Sequence, residues 1–342
     1  MTAERSDRVL GCLLGGAIGD ALGAGIEGMS WSTIESTFGL EGVRDFTPCY
    51  EQEAPITDDT QMTLFTAEGL LEAAANDTDP VDEVWAAYRR WYHTQGGDLP
   101  EGVDPLFGLL AVPELFEKRG PGTTCMGSMR DGVPGTTDEP LNDSKGCGGI
   151  MRVAPVGLAA TSDEEAYRLG CATAALTHGH ASGWISAGAM AVMVRRLLEG
   201  EGLREAVDAG RAVAAADPAD FEVVDAIDAA IALAGQAPLR GTDLESLGKH
   251  WPGGPGEEAL AIAVAAVLAE PDPNEALLLA VNHGGDSDST GAIAGNLLGA
   301  HYGASALRTD WRERVELADV ITEMAVRLSA VGCAWRDLTS DH

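Results

Sequence analysis

Apolar residues recur at helical spacing along almost the whole of this 342-residue chain, and nowhere do they alternate for the length of a strand. Met62, Phe65, Leu70 and Leu71, then Val84, Tyr88 and Trp91, each fall on one face of an α-helix. The same pattern predicts further helices at about 6–22, 106–118, 163–176, 182–199, 203–215, 219–234, 256–269, 273–281, 289–302 and 311–330. Starts carry capping chemistry, as at Ser162-Asp163-Glu164-Glu165 and Asp79-Pro80, while Gly200 and Pro271 mark stops. The expected fold class is therefore all-α, built of many short helices. Residues 39–57 and 119–149, rich in Gly, Pro, Thr and Asp, read as long loops, a length that in a compact domain points to function. No linker composition, repeat or heptad divides the chain, so residues 1–342 are expected to form a single domain.

Charge and cysteine usage narrow the setting. A formal net charge of −32 repels a phosphate backbone at long range and argues against general nucleic-acid binding, while leaving room for one nucleotide in a local pocket. The six cysteines contain no C-x-x-C pair and suggest neither a zinc knuckle nor a disulfide framework, which fits a reducing cytoplasm. Asp20 interrupts the first apolar stretch, so no signal peptide is read, and charge or Gly breaks every stretch that could span a membrane. A soluble, cytoplasmic protein is expected.

Two acidic turns stand out. Thr57-Asp58-Asp59 lies where a loop enters a helix, and Asp286-Ser287-Asp288-Ser289 does the same after Gly284-Gly285. Each has an ordinary explanation as a helix cap, since one Ser, Thr or Asp satisfies free backbone N–H groups and further acids suit the helix dipole. A cap, however, uses one side chain, and these turns supply several hard oxygen donors of the kind Mg²⁺, Mn²⁺ or Ca²⁺ prefers. Clustered carboxylates repel one another unless protons or cations offset the charge, so together the turns read as a shared cation site. Three weaker features accompany them. Asp20 sits in a Gly-rich helix followed by Glu27. The turn Gly146-Cys147-Gly148-Gly149 runs into Met151-Arg152 and offers backbone N–H groups to a phosphate. Thr177-His178 separates two helices. Alone, each reads as readily as a structural acid, a turn and a structural histidine.

In this order the five segments resemble the ADP-ribosylglycohydrolase family, which includes the dinitrogenase reductase-activating glycohydrolases; the similarity spans about residues 8–303. Its early G-x-x-x-G-D-x-x-G helix with a Glu seven residues after the Asp is matched by Asp20 and Glu27, its [ST]-D-D by Thr57-Asp58-Asp59, and its closing G-G-D-x-D-[ST] by residues 284–289. The Gly-rich M-R and T-H segments are matched by residues 146–152 and by Thr177-His178. The resemblance implies a compact orthogonal multi-helix domain and two Mg²⁺ or Mn²⁺ ions. Their ligands would be Thr57, Asp58, Asp59, Asp286, Asp288 and Ser289, with Asp288 bridging. It also implies hydrolysis at ribose C1″ to release ADP-ribose from a modified protein, a nucleic-acid base or a small-molecule ADP-ribose ester. Glu27 or Asp59 would assist proton transfer, residues 146–149 would face the pyrophosphate, and His178 the distal part of ADP-ribose. One departure is Cys147, where many members carry Asn. Two other readings fit the same residues: a non-catalytic, ADP-ribose-binding or crystallin-like relative, and a two-metal phosphoesterase acting on a small nucleotide.

Overall fold

The computed structural model describes residues 2–249 and 251–339, with side chains as far as residue 330. Sixteen α-helices follow in order: α1 (Ala3–Ala24), α2 (Trp31–Phe38), α3 (Asp58–Asn76), α4 (Pro80–Thr94), α5 (Thr123–Asp131), α6 (Ala154–Ala159), α7 (Asp163–Ala175) and α8 (Ala181–Leu198). The second half comprises α9 (Leu203–Ala216), α10 (Val223–Ala234), α11 (Gly241–Leu244), α12 (Gly256–Ala269), α13 (Pro273–Val281), α14 (Ser287–Tyr302), α15 (Thr309–Arg314) and α16 (Ala318–Thr339). Among the described residues there is no strand, only two isolated bridges, Cys49 with Gln52 and Gly146 with Pro255. The all-α expectation holds. No helix among these residues is long and apolar enough to cross a membrane.

The central feature is the antiparallel pairing of the first helix with one near the end of the chain. Helix α1 carries glycine at positions 11, 15, 19 and 23, and α14 carries it at 291, 295 and 299. Side chains four apart share a helix face, so both helices present a strip of bare backbone. They close until a methyl group added at Gly19 would lie 1.9 Å from the Gly291 carbonyl oxygen, and one at Gly295 would lie 1.9 Å from that of Gly15. Asn296 rivets the seam by donating from Nδ2 to the Cys12 carbonyl at 2.8 Å. The seam sets the end of α1, with Asp20 and Gly23, directly against the start of α14, with Ser287 and Asp288. Around it lies a core in which Phe65, Trp91, Ile18 and Leu22 are all fully buried. Each such side chain contributes about 1.5–3 kcal/mol relative to exposure.

Three sequence readings need correction. Residues 106–118 form two 3₁₀ turns, Gly108–Ala111 and Pro113–Phe116, because Gly108 takes φ +53° and Pro113 cannot donate a helical hydrogen bond. The stretch 311–330 is divided into α15 and α16, with Leu317 in the left-handed region between them. The loop at 119–149 contains α5 and ends in a short 3₁₀ turn, Cys147–Gly149.

Candidate active site

Both acidic turns reach one cavity of about 190 Å³, and at neither of them do the lining carboxylates serve as helix caps. Helix α3 is capped by the Thr57 hydroxyl, which accepts from the Asp59 N–H at 3.3 Å. Asp20 completes that cap from α1: its carboxylate accepts from the N–H groups of Thr57 at 3.0 Å and Thr60 at 3.1 Å. Asp58 and Asp59 are thus left over as carboxylates facing inward. Asp286 stands at the cap position of α14 yet makes no side-chain capping bond. Its place is set by backbone, since the Asp286 N–H donates to the Pro252 carbonyl at 2.9 Å after a turn that only Gly285 allows, at φ +143°. The Gly285 carbonyl in turn accepts from the Gly28 N–H at 2.9 Å, anchoring the Glu27 loop beside the same turn.

Glu27, Asp58, Asp59, Asp286, Asp288 and Ser289 line the cavity together with Gly146, Cys147, Gly148 and His178. Carboxylate oxygens of Glu27, Asp286 and Asp288 lie within 4.8 Å of one another. Burial pushes Asp58, Asp59 and Asp288 well above the usual carboxylate range, and the charges of neighbouring carboxylates push them further in the same direction. Asp20 rises to about 6 through burial. Glu27, at the rim, rises to about 7 through partial loss of hydration and the charges of Asp286 and Asp20. Oδ1 of Asp59 is buried without a hydrogen-bond partner, an expensive state for a carboxylate oxygen. Hard oxygen donors, mutual repulsion and an orphaned oxygen suit a divalent cation in charge and in chemistry. Thr57 lies just behind this lining, its hydroxyl 3.4 Å from Oδ2 of Asp59.

The glycine turn meets its expected role only in part. The Cys147 N–H donates to the Gly254 carbonyl at 2.8 Å, so it is not free for a phosphate. Gly149 faces away from the cavity, toward Ala174 and Gly183 of α7 and α8. Gly148 borders the cavity, and its lack of a side chain admits His178: a methyl group there would lie 2.8 Å from Cε1 of that ring. His178 itself is oriented by a relay that sequence reasoning missed. The buried Arg152 stacks over Tyr88, 4.3 Å from the ring centre, and donates from Nη2 to the Thr177 hydroxyl at 2.7 Å. That hydroxyl is 2.8 Å from Nδ1 of His178, against 3.5 Å from its other acceptor, the Ala174 carbonyl. A hydroxyl that donates to Nδ1 places the ring proton on Nε2, the nitrogen nearer Gly146 and Gly148. Burial and the Arg152 charge lower His178 to about 3, so it meets a ligand as a neutral donor. The only signal in the sequence was the match of Met151-Arg152 and Thr177-His178 to short segments of the family it resembles.

A profile of the ADP-ribosylglycohydrolase family matches residues 1–337. The chain belongs to this family. Among curated proteins it is 28% identical over 320 residues to the ADP-ribosyl-[dinitrogen reductase] glycohydrolase of Rhodospirillum rubrum, covering 91% of each chain. It is 25% identical over 351 residues to ADP-ribosylhydrolase ARH3 of Homo sapiens, covering 92% of this chain and 90% of that one. A solved structure described as an ADP-ribosylglycohydrolase-related protein complex superposes with a TM-score of 0.70 at 27% identity, over 97% of this chain and all of the other. The helical architecture is therefore that of an ADP-ribosylglycohydrolase, and the chain is an enzyme of that family.

Proposed function

We propose that this enzyme hydrolyses the glycosidic bond at ribose C1″ of an ADP-ribosylated target, releasing ADP-ribose, and that it does so with two divalent cations, Mg²⁺ or Mn²⁺, bound at the cavity. The observation that carries this reading is the convergence of two acidic turns, from opposite halves of an ADP-ribosylglycohydrolase chain, on one cavity, with Asp58, Asp59, Asp286 and Asp288 all lining it and one Asp59 oxygen unpartnered. Thr57, Asp58, Asp59, Asp286, Asp288 and Ser289 would hold the cations. When bound, such ions supply Lewis acidity and a water that ionises near neutral pH.

The side chains around them have separable tasks. Cleavage at C1″ passes through an oxocarbenium-like state, so the site must fix the ribose, carry a proton and steady the departing group. Glu27 stands at the solvent side, where a carboxyl held near neutrality can both accept and return a proton; Asp59 is the alternative carrier from within. His178 donates from Nε2 toward the ADP part of the ligand, and the open backbone at Gly146 and Gly148 lets that part approach. The departing group contacts the surrounding loops, and the same pocket accepts ADP-ribose from protein, base or ester linkages.

The test is product analysis on ADP-ribosylated arginine, serine and guanine substrates, with Asp288→Ala and chelator-treated wild type in parallel. Free ADP-ribose from the wild type, with loss of roughly 10²–10³ in kcat or more in the variant, is the expected result. AMP with ribose phosphate would instead identify a phosphoesterase, and full activity in excess chelator would remove the cations from the reaction.

A further inference from the structure

We infer that Cys147 gives this centre a sulfur ligand, so that thiophilic divalent cations such as Zn²⁺ and Cd²⁺ bind there in competition with Mg²⁺. The inference rests on the cation reading above and adds to it a donor atom of different chemistry. The Cys147 thiol donates to Oδ2 of Asp286 at 3.2 Å, and the Ser289 hydroxyl donates to the same sulfur at 3.4 Å. The sulfur thus touches two members of the closing acidic turn. Asp59, whose Oδ1 is unpartnered, lines the same cavity. A tetrahedral ion with bonds of about 2.3 Å to sulfur and about 2.1 Å to oxygen sets these atoms about 3.6 Å apart. The separations present are a few tenths of an ångström shorter, so one ion could take both atoms with little movement.

Ligand softness gives the arrangement its consequence. Carboxylate and hydroxyl oxygens favour Mg²⁺ and Mn²⁺, whereas a thiolate among them favours Zn²⁺ and Cd²⁺. An asparagine in place of Cys147 could offer only a further hard oxygen or an N–H group. As the metal–sulfur bond forms, the S–H bond breaks heterolytically. Its electron pair stays on sulfur to make the new bond and the proton leaves to solvent, with no change of oxidation state. The second thiol bordering the cavity, Cys125, is engaged differently: its sulfur accepts from Nη1 of Arg152 at 3.3 Å, which makes Cys125 the natural control.

The experiment titrates Cd²⁺ into the full-length, chelator-stripped protein while following the ultraviolet thiolate-to-cadmium charge-transfer band, with Mg²⁺ and Zn²⁺ binding measured by calorimetry. The band is expected in wild type and Cys125→Ser, absent in Cys147→Ser, and shifted to higher Cd²⁺ by excess Mg²⁺. Zn²⁺ affinity should fall in Cys147→Ser by at least the roughly tenfold that loss of an outer-shell partner costs, and Mg²⁺ affinity by less. Wild type alone provides a second measure: stoichiometric Zn²⁺ should slow alkylation of Cys147, located by mass spectrometry, more than Mg²⁺ does. A band that survives in Cys147→Ser, or Cd²⁺ bound with no band, overturns the sulfur ligand while leaving the cation site standing if Mg²⁺ still binds. Absence of any cation binding overturns both.

Discussion

Glu68 is as deeply buried as Asp59, each 3% exposed, yet the two acids stand in opposite electrostatic circumstances. Glu68 lies in the packing of α3 against α4, where Arg90 donates to Oε2 from Nε at 3.0 Å and from Nη2 at 2.8 Å. Its other oxygen accepts from the Leu109 N–H at 2.7 Å, so both oxygens are satisfied by the chain itself. Asp59, about two and a half turns earlier on the same helix, has a bare oxygen, and the strongest charges acting on it are those of Asp20, Asp58 and Asp286. A buried acid paired from within is structural. One left to repel its neighbours is a vacancy in the protein's own charge balance, and such vacancies mark places where something from solution completes the site.

The largest expected effect tests the paired side. Arg90→Ala strands the Glu68 carboxylate and should destabilise the fold by about 3–5 kcal/mol in urea unfolding, with or without Mg²⁺. A loss below about 1 kcal/mol would mean that Glu68 finds water or protonates cheaply, and the contrast would collapse. The unpaired side should answer with the other sign. Asp288→Asn removes a charge from the repelling set, so in chelator its melting temperature should exceed that of wild type, by an amount corresponding to about 1–2 kcal/mol. Added Mg²⁺ should then stabilise the variant less than the wild type. A lower melting temperature in chelator would show that Asp288 is held by contacts worth more than the repulsion.

The smallest effect is a pH dependence whose sign follows from the raised carboxyls. Asp20 at about 6 and Glu27 at about 7, with Asp58, Asp59 and Asp288 also displaced upward, bind protons more tightly in the folded than in the unfolded chain. Unfolding therefore releases protons, and metal-free stability should fall as pH rises from about 4 through about 7. Cation binding must displace the same protons, so the Mg²⁺-induced rise in melting temperature should be larger near pH 8 than near pH 5. Calorimetric scans in chelator and in Mg²⁺ across that range check both statements; a metal-free melting temperature that climbs with pH contradicts them.

Much of this was legible in the chain before folding. Helix spacing fixed α12 and α13 to the residue, because their apolar faces and their flanking Pro and Gly agree. The acidic turns were visible because a cap consumes one side chain and these turns hold several. What escaped notice depends on contacts between distant segments. Arg152 reads as an ordinary arginine beside an apolar run until Tyr88 and Thr177 are brought to it. Asp20 reads as a structural acid in a Gly-rich helix, and only the approach of Thr57 and Thr60 makes it a cap for another helix. The stretch at 106–118 misled because its apolar residues have helical spacing, although Gly108 and Pro113 held the contrary local information. Helix α5 escaped because Cys125, Ser128 and Met129 are its only buried residues, too few to make a periodic face.

The glycine seam between α1 and α14 bears on how such an enzyme can change. With backbone pressed on backbone, the relative position of Asp20 and Asp288 is defined mainly by main-chain contact, which mutation cannot trim or enlarge by degrees. Substitution along the seam is close to all-or-none, whereas Gly120 and Gly122, which border the cavity from the loop before α5, meet only side-chain atoms. On the proposed reading, chemistry and selectivity are mounted on separate parts, so that a lineage could exchange one modified target for another by rebuilding loops, while the acid-bearing frame beneath them stays the same instrument.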